Sequence, residues 1–90
     1  MNAVAKRWAE QAQYDLETAR AMLASHRYHY VLFCCQQAIE KALKALIAEQ
    51  TREMPPRIHN LLKLAELAKV ELEIKRKYFL EELSAYYIRS

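Results

Sequence analysis

Glycine is absent from all 90 residues. That excludes the Gly-rich phosphate cradles of both the P-loop and the Rossmann type. It also disfavours hairpin-rich sheets, whose tight turns rely on Gly. Proline occurs only as Pro55-Pro56, so a single place in the chain forbids a helix outright. Cysteine occurs only as the neighbours Cys34 and Cys35. Successive side chains leave a helix about 100° apart, so these two are badly placed to bridge each other. A secreted disulfide scaffold is therefore not expected. No run of about 18 apolar residues exists to cross a membrane. The first residues carry Lys6, Arg7 and Glu10 with no apolar run behind them, which predicts no signal peptide and a cytoplasmic protein.

What the chain does contain is helix formers: Ala, Leu, Glu, Lys, Gln and Arg dominate. The length predicts one domain, residues 1–90. Such a domain buries roughly 60–65% of its unfolded surface in one modest core. The formal charge of +3 is too small to imply nucleic-acid binding. The basic run Lys75-Arg76-Lys77 has Glu73, Glu81 and Glu82 close by and reads as a solvated helix face.

Apolar periodicity predicts four helices. In the first, over 3–24, Val4, Trp8, Ala12, Leu16, Ala19 and Leu23 fall within an arc of about 120° that should face a core. Asp15 lies inside that arc and needs a partner there. Ser25-His26-Arg27 is the turn. The second helix, 27–50, carries Tyr28, Val31, Leu32, Cys34, Cys35, Ala38, Ile39, Ala42, Leu43, Leu46 and Ile47 over roughly 220° of its girth. It should be the central element, with neighbours on two sides. Residues 51–56 break the pattern. A third helix starts near His59-Asn60, with Asn60 as its cap and Leu61, Leu62, Leu64, Ala65 and Ala68 as its apolar face. The alternation of Val70, Leu72 and Ile74 predicts a bend. The fourth helix, 73–88, presents Phe79, Leu83, Tyr86 and Tyr87. The expected fold is all-α, an antiparallel up-and-down bundle of about four helices.

The face of the second helix opposite its apolar arc carries Tyr30, Phe33, Gln37, Glu40, Lys41 and Lys44. Three readings fit these residues. They sit under a neighbouring loop or helix, they form a self-association or partner surface centred on Tyr30, Phe33 and Gln37, or they form a ligand face where aromatics stack a base and lysines meet phosphate. Asp15 and Glu40 either pair as carboxylates, or Lys41 or Lys44 neutralises Asp15, and the structural contact is the better expectation. His26 and His29 lie one turn apart, but Cys34 and Cys35 fall in the apolar arc, so four converging zinc ligands are not expected. Ser25, Ser84 and Ser90 occupy no strained nucleophile elbow. His59 is expected to fix the start of the third helix by hydrogen bonding.

The succession Trp8, Ala12, Asp15-Leu16, Ala19, Tyr28, the block Gln36-Gln37-Ala38-Ile39-Glu40-Lys41-Ala42-Leu43-Lys44-Ala45-Leu46, then His59-Asn60-Leu61-Leu62 and Tyr86-Tyr87-Ile88, resembles the HEPN domain family, named for nucleotide binding in higher eukaryotes and prokaryotes. The resemblance covers nearly the whole chain. It implies an antiparallel helical bundle, usually a homodimer, often encoded beside a minimal nucleotidyltransferase, some such pairs acting as toxin and antitoxin. It further implies a binding module rather than an enzyme, with no cofactor and with nucleotide as a ligand class. Asp15, Gln37, Glu40, Lys41, Lys44, His59, Tyr86 and Tyr87 are the candidate nucleotide contacts, the lysines as phosphate-binding point charges.

Some family members are metal-independent ribonucleases with an Arg, four to six residues, then His in the last helices. Arg20 to His26 and Arg52 to His59 have that spacing. About 0.7 such matches arise by chance in a chain of this composition, and no His follows Arg76. The chain therefore resembles the non-nuclease branch. A ribonuclease using His59 with Arg52 or Arg57, and a ligand-free dimerisation scaffold, are the alternatives. Two departures stand out: Asn60 replaces a common acidic residue, and Arg89-Ser90 stands where an Arg-Tyr-Pro tail is usual.

Overall fold

The computed structural model describes the backbone of residues 1–89 and the side chains of residues 1–86. Among the described residues four helices form, α1 (Ala3–Ala24), α2 (Tyr28–Thr51), α3 (Leu61–Leu67) and α4 (Ile74–Arg89), and they make an all-α bundle. The Asn2 side chain starts α1 by accepting from Ala5 N–H at 2.8 Å. Asn60 starts α3 in the same way, accepting from Lys63 N–H at 2.9 Å, as its position predicts. At about 1.5 Å per residue, α2 sets the 38 Å long dimension of the molecule.

With no glycine, the left-handed positions at helix ends fall to His26 (φ 58°), Arg52 (φ 60°) and Lys69 (φ 59°). At His26 and Lys69 the bonds Arg27 N–H to Met22 O and Val70 N–H to Ala65 O, both 2.9 Å, close the end of the helix around a residue that is usually Gly. A Cβ in this region costs roughly 1–2 kcal/mol. Arg52 and Lys69 place a positive side chain at the negative end of a helix dipole, which offsets part of that cost.

The turn at 25–27 folds α1 back along α2. Asn2 closes the open end of this hairpin, its backbone N–H on Glu49 Oε1 at 2.8 Å and its side-chain amide on Ala48 O at 2.9 Å. The connection 52–60 runs back toward the middle of α2. From there α3 follows α2 until Ala68 O accepts from Gln50 Nε2 at 2.8 Å. The residues between α3 and α4 supply the expected bend, and α4 returns so that Ser84 Oγ accepts from Leu61 N–H at 2.8 Å. The main core lies between α2, α3 and α4: Leu43, Ile47, Leu61, Leu64, Ala65, Ala68, Leu80 and Leu83. α2 is the central element, as its wide apolar arc predicts.

The inward face of α1 differs from expectation. Ala12 and Ala19 are buried, together with Ala5, but Val4 and Leu16 are each 36% exposed and Leu23 is 53% exposed. Among the described residues α1 packs against α2 alone. Alanines seven residues apart let the two helices approach closely, and the larger side chains are left on the flank. On α2, Tyr28, Ala42 and Leu46 of the expected apolar arc are exposed, while Glu40 and Lys44 of the opposite face are 4% exposed. On α4, Leu80 is buried and Phe79 faces solvent.

Candidate functional site: a buried polar cluster beside an open groove

Gln36, Glu40 and Lys44 stand four residues apart, so they form one ridge along α2. That ridge points inward, toward Trp8 of α1 and the connection before α3. Gln36 is fully buried. Its Nε2 donates to Glu40 Oε1 at 2.9 Å, and its carbonyl oxygen accepts from Gln37 Nε2 at 2.7 Å. Lys44 Nζ donates to Glu40 Oε2 at 3.0 Å, with both side chains almost wholly out of water. The same ammonium lies 5.4 Å from the centre of the Trp8 ring, over its electron-rich face. His59 Nδ1 completes the cluster at 2.9 Å from Glu40 Oε2. An ionised carboxylate only accepts, so Nδ1 carries the proton in this contact.

Burial pushes the Glu40 carboxyl upward. Hydrogen bonds from Gln36, His59 and Lys44, with the charge of Lys44, outweigh it and hold Glu40 below the usual carboxylate range. A second pair lies on the α1 side. Lys41 Nζ donates to Asp15 Oδ2 at 2.6 Å, with about a fifth of each side chain exposed. Asp15 is thus neutralised by Lys41, the structural contact expected from sequence, and Glu40 is served by a separate set of partners. Among the described residues every buried side-chain polar atom has a hydrogen-bond partner.

The structure brings Gln37, Glu40, Lys44 and His59 into one cluster and places Asp15 and Lys41 in an ion pair beside it. Tyr86 packs against the hydrophobic core, and the Tyr87 side chain lies outside the described residues. Of the partner-surface candidates, Tyr30 is 62% exposed, and Phe33 and Gln37 are half-buried. Sequence reasoning missed Gln36 and the Glu40–His59 contact. The burial of Glu40 and Lys44 agrees with the reading that this face sits under a neighbouring segment, and the partner that closes it, His59, is 19 positions away.

Among the described residues no group of three His, Cys, Asp or Glu converges on a metal position. Cys34 and Cys35 are free thiols. Burial, with the charges of Asp15 and Cys35, pushes the Cys34 thiol up, away from the reactive thiolate. No described helix is long and apolar enough to cross a membrane.

On its other flank the α1–α2 hairpin opens into an apolar groove of about 590 Å³. Leu16, Ile39, Ala42 and Leu46 line it, with Met1 and Glu49 at one end. Leu16, Ala42 and Leu46, which sequence periodicity had turned toward the core, are found here.

The HEPN domain model matches residues 5–90. The chain belongs to the HEPN family. In this HEPN domain the block from Gln36 to Leu46 supplies both the buried cluster and one wall of the groove. No protein of curated function and no solved structure matches the chain.

Proposed function

We propose that this HEPN domain is a non-catalytic binding module that works as a homodimer in the cytoplasm, with a minimal nucleotidyltransferase-type protein as its partner. The observation that carries this reading is the open groove between α1 and α2. Leu16 and Leu46 are 36% and 44% exposed along it, and apolar surface of this kind, where no described helix is long and apolar enough to cross a membrane, favours protein contact. The family resemblance implies a second copy as partner, and the groove's exposed apolar lining supports placing its α1–α2 face against this one. The test is sedimentation equilibrium. A concentration-dependent dimer that Leu46→Glu dissociates, with helix content unchanged, supports the reading, and a monomer at every concentration removes it.

Nucleotide is the second ligand class, with Asp15, Gln37, Glu40, Lys41, Lys44, His59, Tyr86 and Tyr87 as the candidate contacts. Lys41 and Lys44 each hold a carboxylate at 3.0 Å or less. A phosphate would have to displace that carboxylate, which weighs against tight binding. A ligand at 100 times its Kd adds about 2.7 kcal/mol, and each kcal/mol moves the Tm of a small domain by roughly 4–8 °C. Melting with millimolar ATP and GTP therefore reads the site directly, and a shift abolished by Lys44→Met would establish it. The ribonuclease alternative draws support from Glu40, which orients the His59 ring. RNA cut by the purified protein and left intact by His59→Ala would make it the function.

A further inference from the structure

The closed end of the α1–α2 hairpin has a chemistry of its own. His26, Arg27, Tyr28, His29 and Tyr30 are consecutive, all exposed, and line a shallow concavity of about 380 Å³. Tyr28 is 58% exposed and Tyr30 62%, and Leu23 beside the turn is 53% exposed. The Tyr28 ring is held: its hydroxyl lies 2.9 Å from His26 Nδ1, and the two rings meet edge to face at 6.0 Å. This fixes one aromatic wall in place before anything binds, which lowers the ordering cost of binding. No Asp or Glu stands between Glu17 and Glu40, and Arg20 and Arg27 lie in that interval. Arg20 has Glu17 one turn before it, but Arg27, which lines the concavity, has no acidic residue within nine positions on either side.

We infer that this surface docks an acidic segment of a partner protein, with a carboxylate meeting Arg27 and an apolar side chain seated in the concavity that Tyr28 and Tyr30 line. Charge complementarity selects the sign of the partner. Tyr and Arg together are the residues that dominate binding energy at protein contacts. A single arginine with histidines beside it suits a short acidic peptide better than a nucleic-acid strand, whose affinity needs many neutralised phosphates. Tyr30 and Phe33 of the sequence-derived partner surface belong to this end of α2, so the inference rests on the binding-module reading and names its chemistry. It does not use the apolar groove.

The test is fluorescence anisotropy with a labelled peptide of Glu and Asp residues interrupted by Leu and Phe, using the full chain. Saturable binding is expected, weakened roughly tenfold in Tyr30→Ala and more in Arg27→Glu, and weakened by added salt. Both variants must keep the circular dichroism and Tm of the parent. Leu46→Glu is expected to leave peptide binding unchanged while dissociating the dimer, so failure of the groove and failure of this surface are read separately. No saturable binding, equal binding by Tyr30→Ala, or tighter binding of single-stranded oligouridylate than of the peptide would each overturn the inference.

Discussion

His59 Nδ1 lies 2.9 Å from Glu40 Oε2, and that contact joins the connection before α3 to the middle of α2. Because Glu40 also holds Lys44 and Gln36, one carboxylate ties together α2 and the chain that carries α3 into the core. Removing it leaves the Lys44 ammonium buried with no counter-ion. Glu40→Ala is therefore expected to cost about 3–5 kcal/mol in urea unfolding, the range for breaking a buried pair from one side. His59→Ala removes a half-exposed partner and should cost about 1 kcal/mol. Equal and small effects of both would show that the cluster does not hold the fold.

The acid stability of the domain follows from the same carboxylate. The folded Glu40 pKa lies below its ordinary value of 4.5. A lowered folded pKa contributes stability above the unfolded value and loses it as pH falls through the folded one. The Tm of the parent should therefore decline below about pH 4.5, and Glu40→Gln, less stable at neutral pH, should decline less over the same acidic window. Parallel curves would assign the acid loss to other carboxylates.

The ion pair of Asp15 and Lys41 should behave differently. At 2.6 Å but with about a fifth of each side chain exposed, it is partly screened. Asp15→Asn is expected to cost about 1 kcal/mol, and the difference from the parent should shrink as salt is added. A loss as large as that of Glu40→Ala would place Asp15 in a more buried role than its exposure supports.

Lys69 occupies a left-handed position with a Cβ in the way. Lys69→Gly relieves that strain at the cost of a more flexible unfolded chain, with a net gain of about 0.5–1 kcal/mol. Thermal melting checks this, since a Tm rise of several degrees is expected. A fall in Tm would mean that the lysine charge at the end of α3 outweighs the backbone strain.

Local signals carried most of the fold. The Asn60 cap, the Pro55-Pro56 break and the wide apolar girth of α2 depend on neighbours in sequence, and the structure agrees with each. The orientation of α1 was harder to read because it depends on size as well as polarity. Ala5, Ala12 and Ala19 win the seam with α2 because close approach needs small side chains, and no hydrophobicity pattern expresses that. The inward turn of Glu40 and Lys44 was one of three readings that the sequence left open. A charged ridge is buried only when its partners exist, and His59 and Trp8 reach it from distant parts of the chain.

The proposal that this HEPN domain acts through a paired α1–α2 face is tested by the assembly state of the parent and of Leu46→Glu at micromolar concentration. Sedimentation equilibrium should give twice the 10.6 kDa chain mass for the parent and the chain mass for the variant, with helical circular dichroism the same in both. A parent that sediments as a monomer, or a variant that stays dimeric, would contradict it.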